Sequence, residues 1–500
     1  MNANLYTFLE RHFSEAGDQP CLVVPGGRVL SYDELDSESA RIANVLVAAG
    51  CRPGDRVAAQ VDKHWQIVPL YLATLRAGLV YLPLNTAYQR AELDYFFADA
   101  TPRVIVCAPE KLGVVETLSR GATVLTLDPD GGDIGRRAMS ADDRFETVER
   151  SAEDLAAILY PSGTTGRSKG AMLTHRNLGS NALTLVEQWG FTGSDTLLHA
   201  LPIYHVHGLF VAIHCVLLSG SRMLWLPRFD ACEVASLLPR ATAMMGVPTF
   251  YTRLLAEPTF TRESCAGVRV FIAGSAPLLP ETFRAFEERT GHRILERYGM
   301  TETGMNASNP LDGARVPGTV GLPLPGVDVR VVDEHGKDCE RETIGQIEIR
   351  GPNVCAGYLN QPDKTAESMT ADGWFRSGDI GSFDANGYLI ISGRATDMII
   401  SGGLNVYPKE IEERLDAMNG VVESAVIGVP DVDFGEAVVA VLAVPRPHEL
   451  TEASVVSALK SEIARYKVPK RVYFVDELPR NAMGKVQKGV LRERVITDAK

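Results

Sequence analysis

Polar and apolar positions over residues 31–50 repeat with a helical period. Ser31-Tyr-Asp-Glu34 opens the run as a capping box, Leu35, Ile42, Ala43, Val45 and Leu46 share one stripe, and Gly50 closes it. The pattern predicts a helix. A Pro53-Gly54-Asp55 turn leads into a short apolar run at 57–61, a second helical stretch to Gly78 and a strand-like run at 79–84. Alternation of this kind predicts α/β layers around a largely parallel sheet. The polar, Gly-rich stretch 128–144 predicts a surface connection. Further on, an Asn386-Gly387 turn enters the run GYLIISG (387–393), one arm of a hairpin. A second apolar stretch covers 398–400, Gly402-Gly403 follows, and Pro408 suits the first turn of a helix bearing Ile411 and Leu415 four apart. A domain boundary falls near 394–397, giving a large domain at 1–394 and a small one at 395–500.

Length agrees with that division, because one hydrophobic core stops growing at about 250 to 300 residues and this chain has 500. At 45% hydrophobic and 23% charged, the composition is that of a globular protein and excludes collagen-like, disordered and disulfide-scaffold chains. The net charge of −13 disfavours a nucleic-acid binder, which needs clustered Lys and Arg. From Lys460 onward, however, 11 basic side chains face 5 acidic ones. That reads as a locally basic small domain, the alternative being a solvated helical face. None of the eight cysteines reaches CxxC spacing, which excludes a local zinc knuckle or dithiol motif and predicts reduced, mostly buried thiols in a cytoplasmic chain. Glu10, Arg11 and His12 interrupt the opening MNANLYTFLERHF where an export signal needs an apolar core, and no run reaches 18 apolar residues. A soluble, unexported protein is expected.

The segment most suggestive of chemistry is LAAILY (155–160) followed by PSGTTGRSKG (161–170). An apolar strand-like run ends in three Gly, two Ser and two Thr with Arg167 and Lys169, a composition able to bring backbone N–H groups and hydroxyls around phosphate oxygens. A linker is the alternative for a lone Gly/Ser run. Here Leu178, Ala182, Leu183 and Val186 follow at helical spacing, so the loop is fixed between two elements. A P-loop is excluded, because GxxxxGK must be followed by Ser or Thr and Lys169 precedes Gly170.

YPSGTTGRSKGAMLTH (160–175) resembles the signature of the adenylate-forming superfamily of acyl-CoA synthetases, peptide-synthetase adenylation domains and firefly-type luciferases. Six further motifs occur in that superfamily's order: LPIYHVHG (201–208), GSAP (274–277), ERYGMTE (296–302), WFRSGD (374–379), Gly393-Arg394 and PRNAMGK (479–485). The resemblance implies a large N-terminal domain of layered sheets and helices with a small mobile α+β C-terminal domain. The implied reaction uses ATP and CoA as cosubstrates and Mg²⁺ as cofactor. A carboxylate attacks the α-phosphorus of ATP to give acyl-AMP and diphosphate, and CoA thiol then takes the acyl group and releases AMP. By resemblance, Ser162, Gly163, Thr164, Thr165, Gly166 and Lys169 hold the β- and γ-phosphates. Gly274, Ser275, Ala276 and Pro277, with the Glu296, Tyr298, Gly299 and Met300 run, enclose the adenine. Thr301 touches the α-phosphate and Glu302 binds Mg²⁺. Asp379 accepts the ribose hydroxyls and Arg394 adds a contact. Lys485 is the implied catalytic lysine, set between the substrate carboxylate and the α-phosphate, and a target for a lysine acetyltransferase and deacetylase. Rotation of the small domain between half-reactions implies a hinge two residues after Arg394. Thr396 stands there in place of the usual Lys or Asp, so either Thr396 or Asp397 serves.

Within the superfamily, LPIYHVHGLF and SGGLNVYPKEIE are similar to malonyl-CoA synthetases, which implies malonate and methylmalonate as acids. The second carboxylate of such a diacid is costly to bury unpaired, so a cation must face the pocket. Arg253 is the leading candidate, with Ser275 assisting, and the alternative is an exposed Arg on the helix after Pro248. His205 and His207 are expected to line or gate the acid site, and a core role is open for His207. The rivals are a short- or medium-chain acyl or aryl-CoA synthetase, and an adenylation enzyme loading a carrier protein, disfavoured because the chain ends soon after Lys485. A luciferase-like oxidase and a nucleotide-binding regulator without catalysis are the others.

Overall fold

The computed structural model describes residues 2–161, 168–401, 404–431, 434–481 and 484–498. Two compact units divide the chain: Met1–Asp328 with Ile349–Gly373, and Val329–Glu348 with Trp374–Lys500.

The first unit holds two sheets. Six strands order as Thr123–Thr126, Val104–Cys107, Arg56–Gln60, Val80–Pro83, Leu155–Leu159 and Ala171–Thr174, all parallel except the last pair. Nine strands form the other, parallel through its centre from Leu295–Met300 to Pro20–Val23 and antiparallel at both edges. The predicted helix is Tyr32–Ala48, and both bonds of its capping box are made, Glu34 N–H to Ser31 Oγ at 3.1 Å and Ser31 N–H to Glu34 Oε2 at 2.9 Å. The helix after the phosphate-type loop is His175–Gln188. Its buried stripe is Leu178, Ala182 and Leu185, and Leu183 is exposed, contrary to the predicted stripe. The 128–144 stretch also departs from expectation. A helix, Gly132–Ala138, forms there because Ile134 and Ala138 are buried and Asp133 accepts from the Thr126 backbone and hydroxyl.

The second unit holds a four-stranded and a five-stranded sheet. In the first, Leu389–Arg394 pairs antiparallel with Phe375–Phe383, the hairpin that the Asn386-Gly387 turn predicts. In the second, alternate residues feed two cores. Val426, Val438, Ala440 and Leu442 pack with Ile411, Leu415 and Leu459, whereas Ala425, Ile427, Val439 and Val441 pack with Leu491 and Val495. Pro408 opens the helix Pro408–Asp416, as its fixed φ and missing N–H favour. All eight cysteines are free and six are buried. No helix among the described residues is long and apolar enough to cross a membrane.

Candidate active site

Ser162, Gly163, Thr164, Thr165 and Gly166 lie outside the described residues. The loop's described end is anchored by Ser168, whose carbonyl accepts from the Tyr95 hydroxyl at 2.7 Å and whose Oγ donates to the Pro161 carbonyl at 3.0 Å. Lys169 holds its ammonium 4.9 Å from the centre of the Tyr358 ring.

Thr301 and Glu302 sit at the turn joining the antiparallel strands Leu295–Met300 and Gly304–Ser308. The register shifts at Tyr298/Gly299, and a side chain on Gly299 would collide with the Gly304 carbonyl, so the close approach requires glycine. Glu302 is buried, and its Oε1 accepts from the Tyr358 hydroxyl at 3.1 Å. Glu296 takes the Leu278 N–H at 3.1 Å, which fixes the exit of the Gly274–Pro277 segment beside the nearly buried Tyr298. No group of three metal-ligating side chains occurs among the described residues. A single buried carboxylate fits Mg²⁺, which is commonly held by one or two carboxylates together with substrate phosphates.

Gly274, Ser275, Ala276 and Pro277 follow the C-terminal end of the parallel strand Val270–Ala273, where open α/β sheets place ligands. Ser275 is left-handed at φ +73°, a conformation that costs a non-glycine residue about 1–3 kcal/mol. Its Oγ lies 3.4 Å from His207 Nδ1. His207 begins a π-helical turn, His207–Ala212, in which a side chain on Gly208 would collide with the Pro202 carbonyl. Burial, with the charge of Arg297 next in size, holds His205 neutral down to about pH 4 and keeps the pKa of His207 well below its ordinary value.

Arg297 was not foreseen. It is 3% exposed, its Nε and Nη2 find no hydrogen-bond partner among the described residues, and burial lowers its pKa to about 9. The guanidinium lies against Gly274, on which a Cβ would come within 2.6 Å of Nε and Nη1. Arg253, the cation expected at this pocket, is exposed on the helix Pro248–Ala256. Strand periodicity carried the missed signal. In Leu295–Met300, Arg297 alternates with Glu296 and Tyr298 and so faces the opposite way.

The second unit carries Asp379, Arg394 and Lys485. Asp379 and Arg394 are register partners in the hairpin, and their side chains pair at 2.7 Å, Arg394 Nε to Asp379 Oδ1. Ser377 Oγ receives the Asp379 N–H at 3.0 Å. Lys485 lies in a tight turn where its N–H donates to Asn481 Oδ1 at 3.0 Å and its carbonyl accepts from the Asn481 N–H at 2.9 Å. Burial lowers its pKa and Arg394 adds to this, against the opposing pull of Asp379 and Asp397. Thr396 and Asp397 form the short 3₁₀ turn Ala395–Asp397, with Thr396 exposed and Asp397 paired to Arg492 at 2.9 Å.

A family model for AMP-binding enzymes matches residues 9–359, and one for the C-terminal domain of AMP-binding enzymes matches 410–485. The chain is 36% identical to a mitochondrial malonate–CoA ligase of Mus musculus over 96% of this chain and 89% of the relative. It is 37% identical to a feruloyl-CoA synthase of an Amycolatopsis species over 94% of each. The crystal structure of ATP-bound MatB from Rhodopseudomonas palustris is 54% identical and covers 100% of both chains with a TM-score of 0.97.

Proposed function

This chain belongs to the family of AMP-binding enzymes, and from that premise we propose that it is an AMP-forming ligase that joins malonate, and methylmalonate, to CoA. The observation that carries the choice of acid is Arg297. A buried guanidinium with two nitrogens that find no partner among the described residues is costly to maintain, and a second substrate carboxylate repays it with charge-assisted hydrogen bonds. Ser275 offers a hydroxyl beside it, and neutral His205 and His207 add no competing charge. We therefore assign the distal carboxylate to Arg297 in place of Arg253. Malonate–CoA ligases of Mus musculus, Bos taurus and Arabidopsis thaliana, 32–36% identical, support the diacid, beside the feruloyl-CoA synthase at 37%. An apolar or aryl acid leaves Arg297 unpaired, which is the reason to prefer malonate.

Residue roles follow from charge. Adenylation and thioester formation both gather negative charge, so donors placed where it develops carry much of the rate. Lys169 faces the β- and γ-phosphates, Thr301 the α-phosphate, and Tyr298 with the Gly274–Pro277 segment the adenine. Glu302 is the residue that would hold Mg²⁺, which when bound neutralises phosphate charge. Asp379 accepts the ribose hydroxyls, with Arg394 holding the carboxylate in place. Lys485 donates to the reacting carboxylate and α-phosphate. Its pKa, lowered by burial, means that its charge is lost at a lower pH than for an exposed lysine. Acetylation of Lys485 would remove that charge and stop adenylation. Thr396 or Asp397 absorbs the rotation of residues 395–500 against residues 1–394, and a cytoplasmic setting completes the reading.

Diphosphate release measured across malonate, methylmalonate, propionate, butyrate and ferulate tests the choice of acid. The wild type should favour malonate. Arg297→Leu should lower malonate kcat/KM by about 10²-fold or more while sparing propionate and butyrate, because the loss of a charge-assisted bond leaves the diacid's second carboxylate unpaired. Unchanged malonate kcat/KM in that variant, or a wild type indifferent to malonate, refutes the assignment.

A further inference from the structure

Residues 355–359 join two parts of the first unit. On one side they pair with 170–172: Leu359 N–H donates to the Gly170 carbonyl at 2.8 Å, and Met172 and Ala356/Gly357 exchange N–H···O bonds at 2.9 Å. On the other side Cys355 N–H donates to the Glu302 carbonyl at 2.7 Å. Tyr358 stands at the centre of this strip, 7% exposed. Its own N–H donates to Thr365 Oγ1 at 2.9 Å, which fixes the residue's backbone. Two different parts of its side chain are in use. The hydroxyl donates to Glu302 Oε1 at 3.1 Å, and the ring lies 4.9 Å below the Lys169 ammonium.

We propose that Tyr358 is a positioning residue that sets the metal-side carboxylate and the phosphate-side lysine with one side chain, the hydroxyl orienting Glu302 and the π face holding Lys169. The proposal rests on the roles given above to Glu302 and Lys169. The hydroxyl donates to one carboxylate oxygen and thereby limits rotation of the group about its last bond, so Glu302 meets a cation in a fixed orientation. The negative face of the ring attracts the ammonium and restricts a long, flexible side chain that otherwise loses entropy on meeting phosphate. The two actions are chemically separable, because phenylalanine keeps the face and loses the hydroxyl.

The test is binding of a non-hydrolysable ATP analogue by calorimetry, with and without Mg²⁺, which reads positioning without turnover. Tyr358→Phe should raise the Mg²⁺ concentration for half-maximal binding by about three- to tenfold, the size of one hydrogen bond, and leave metal-free binding as in the wild type. Tyr358→Leu should show the same metal shift and also weaken metal-free binding about two- to fivefold. In a Glu302→Gln background, Tyr358→Phe should add nothing to the metal requirement. A Tyr358→Phe protein that titrates with Mg²⁺ like the wild type overturns the hydroxyl's role. Unweakened metal-free binding by Tyr358→Leu overturns the ring's. If Glu302→Gln and Lys169→Ala themselves leave binding unchanged, the underlying assignment of the phosphate site has failed instead. Should Tyr358→Leu not fold, the Phe variant and the double mutant still decide the hydroxyl's role.

Discussion

Arg297 owes its position to a neighbour with no side chain. Gly274 directly follows its strand with a φ outside the left-handed region, so its conformation admits other residues, and the reason for glycine is steric. A methyl group there would press on a guanidinium that is buried and has little room to retreat. Gly274→Ala should therefore raise the malonate KM about tenfold or more with a smaller change in ATP KM, measured by steady-state kinetics, since a shift of about 1 Å at a charged contact is strongly felt. Equal changes in both constants would show that the segment serves adenine and acid alike. At this scale the sequence told residue type better than residue role. Ser275 follows a strand end, Thr301 and Glu302 sit at the turn between two strands, and His207 opens a π-helical turn. Arg297 was missed in favour of Arg253 because burial decides between them, and only packing leaves one exposed on a helix and the other enclosed.

Among elements, the turn bearing Lys485 is held from both ends. Arg480, just before it, pairs with Glu423. Just after it, Lys488 pairs with Glu412 at 2.6 Å and Arg492 with Asp397 at 2.9 Å, where the helix Lys488–Asp498 begins. Glu412 is itself fixed, because its Oε1 takes the Val426 N–H at 2.8 Å. Glu412 and Lys488 are 13% and 18% exposed, so this pair is less screened than a surface ion pair. Glu412→Gln should slow adenylation about three- to tenfold, read by ATP–diphosphate exchange, while conversion of supplied malonyl-AMP to thioester stays near the wild-type rate. Equal loss in both half-reactions would place Glu412 in general stability. Elements with local signals were legible: the capping box of Tyr32–Ala48, the hairpin turn at Asn386-Gly387 and the proline that opens Pro408–Asp416. Gly132–Ala138 was not, because Gly132 and Gly135 weaken it intrinsically and contacts from Thr126 and the burial of Ile134 decide it. The π-helical turn at His207–Ala212 was hidden for a similar reason, since its sequence HGLFVA is that of an ordinary buried helix.

For the whole molecule, the buried histidines of the first unit and the buried Asp416 of the second answer acid in opposite senses. In the first, burial depresses His64, His175 and His205 to about 4 and His214 to about 3, against an ordinary value near 6.5. The unfolded chain takes up protons through about pH 6.5 before these folded histidines do, so this stability is present above 6.5 and is lost as pH falls towards 4. In the second, burial raises Asp416 to about 6 from 3.8, so its contribution is full below 3.8 and is lost as pH rises through 6. Limited proteolysis with fragments identified by mass should therefore show 1–328 becoming susceptible between pH 7 and 5 while 374–500 stays resistant. Simultaneous loss of both would show that other groups dominate. The sequence by itself determined the chemistry class and those elements with local signals, because these are carried by contiguous motifs and by periods of 2 and 3.6 that need no long-range contact. Only the tertiary structure decided which arginine is buried beside the histidines, that Tyr358 meets both Glu302 and Lys169, and that residues 329–348 pack with the second unit. Those outcomes depend on burial and on contacts between segments far apart in the chain, and desolvation, which makes an unpaired cation costly and a histidine neutral, acts only once those segments have come together.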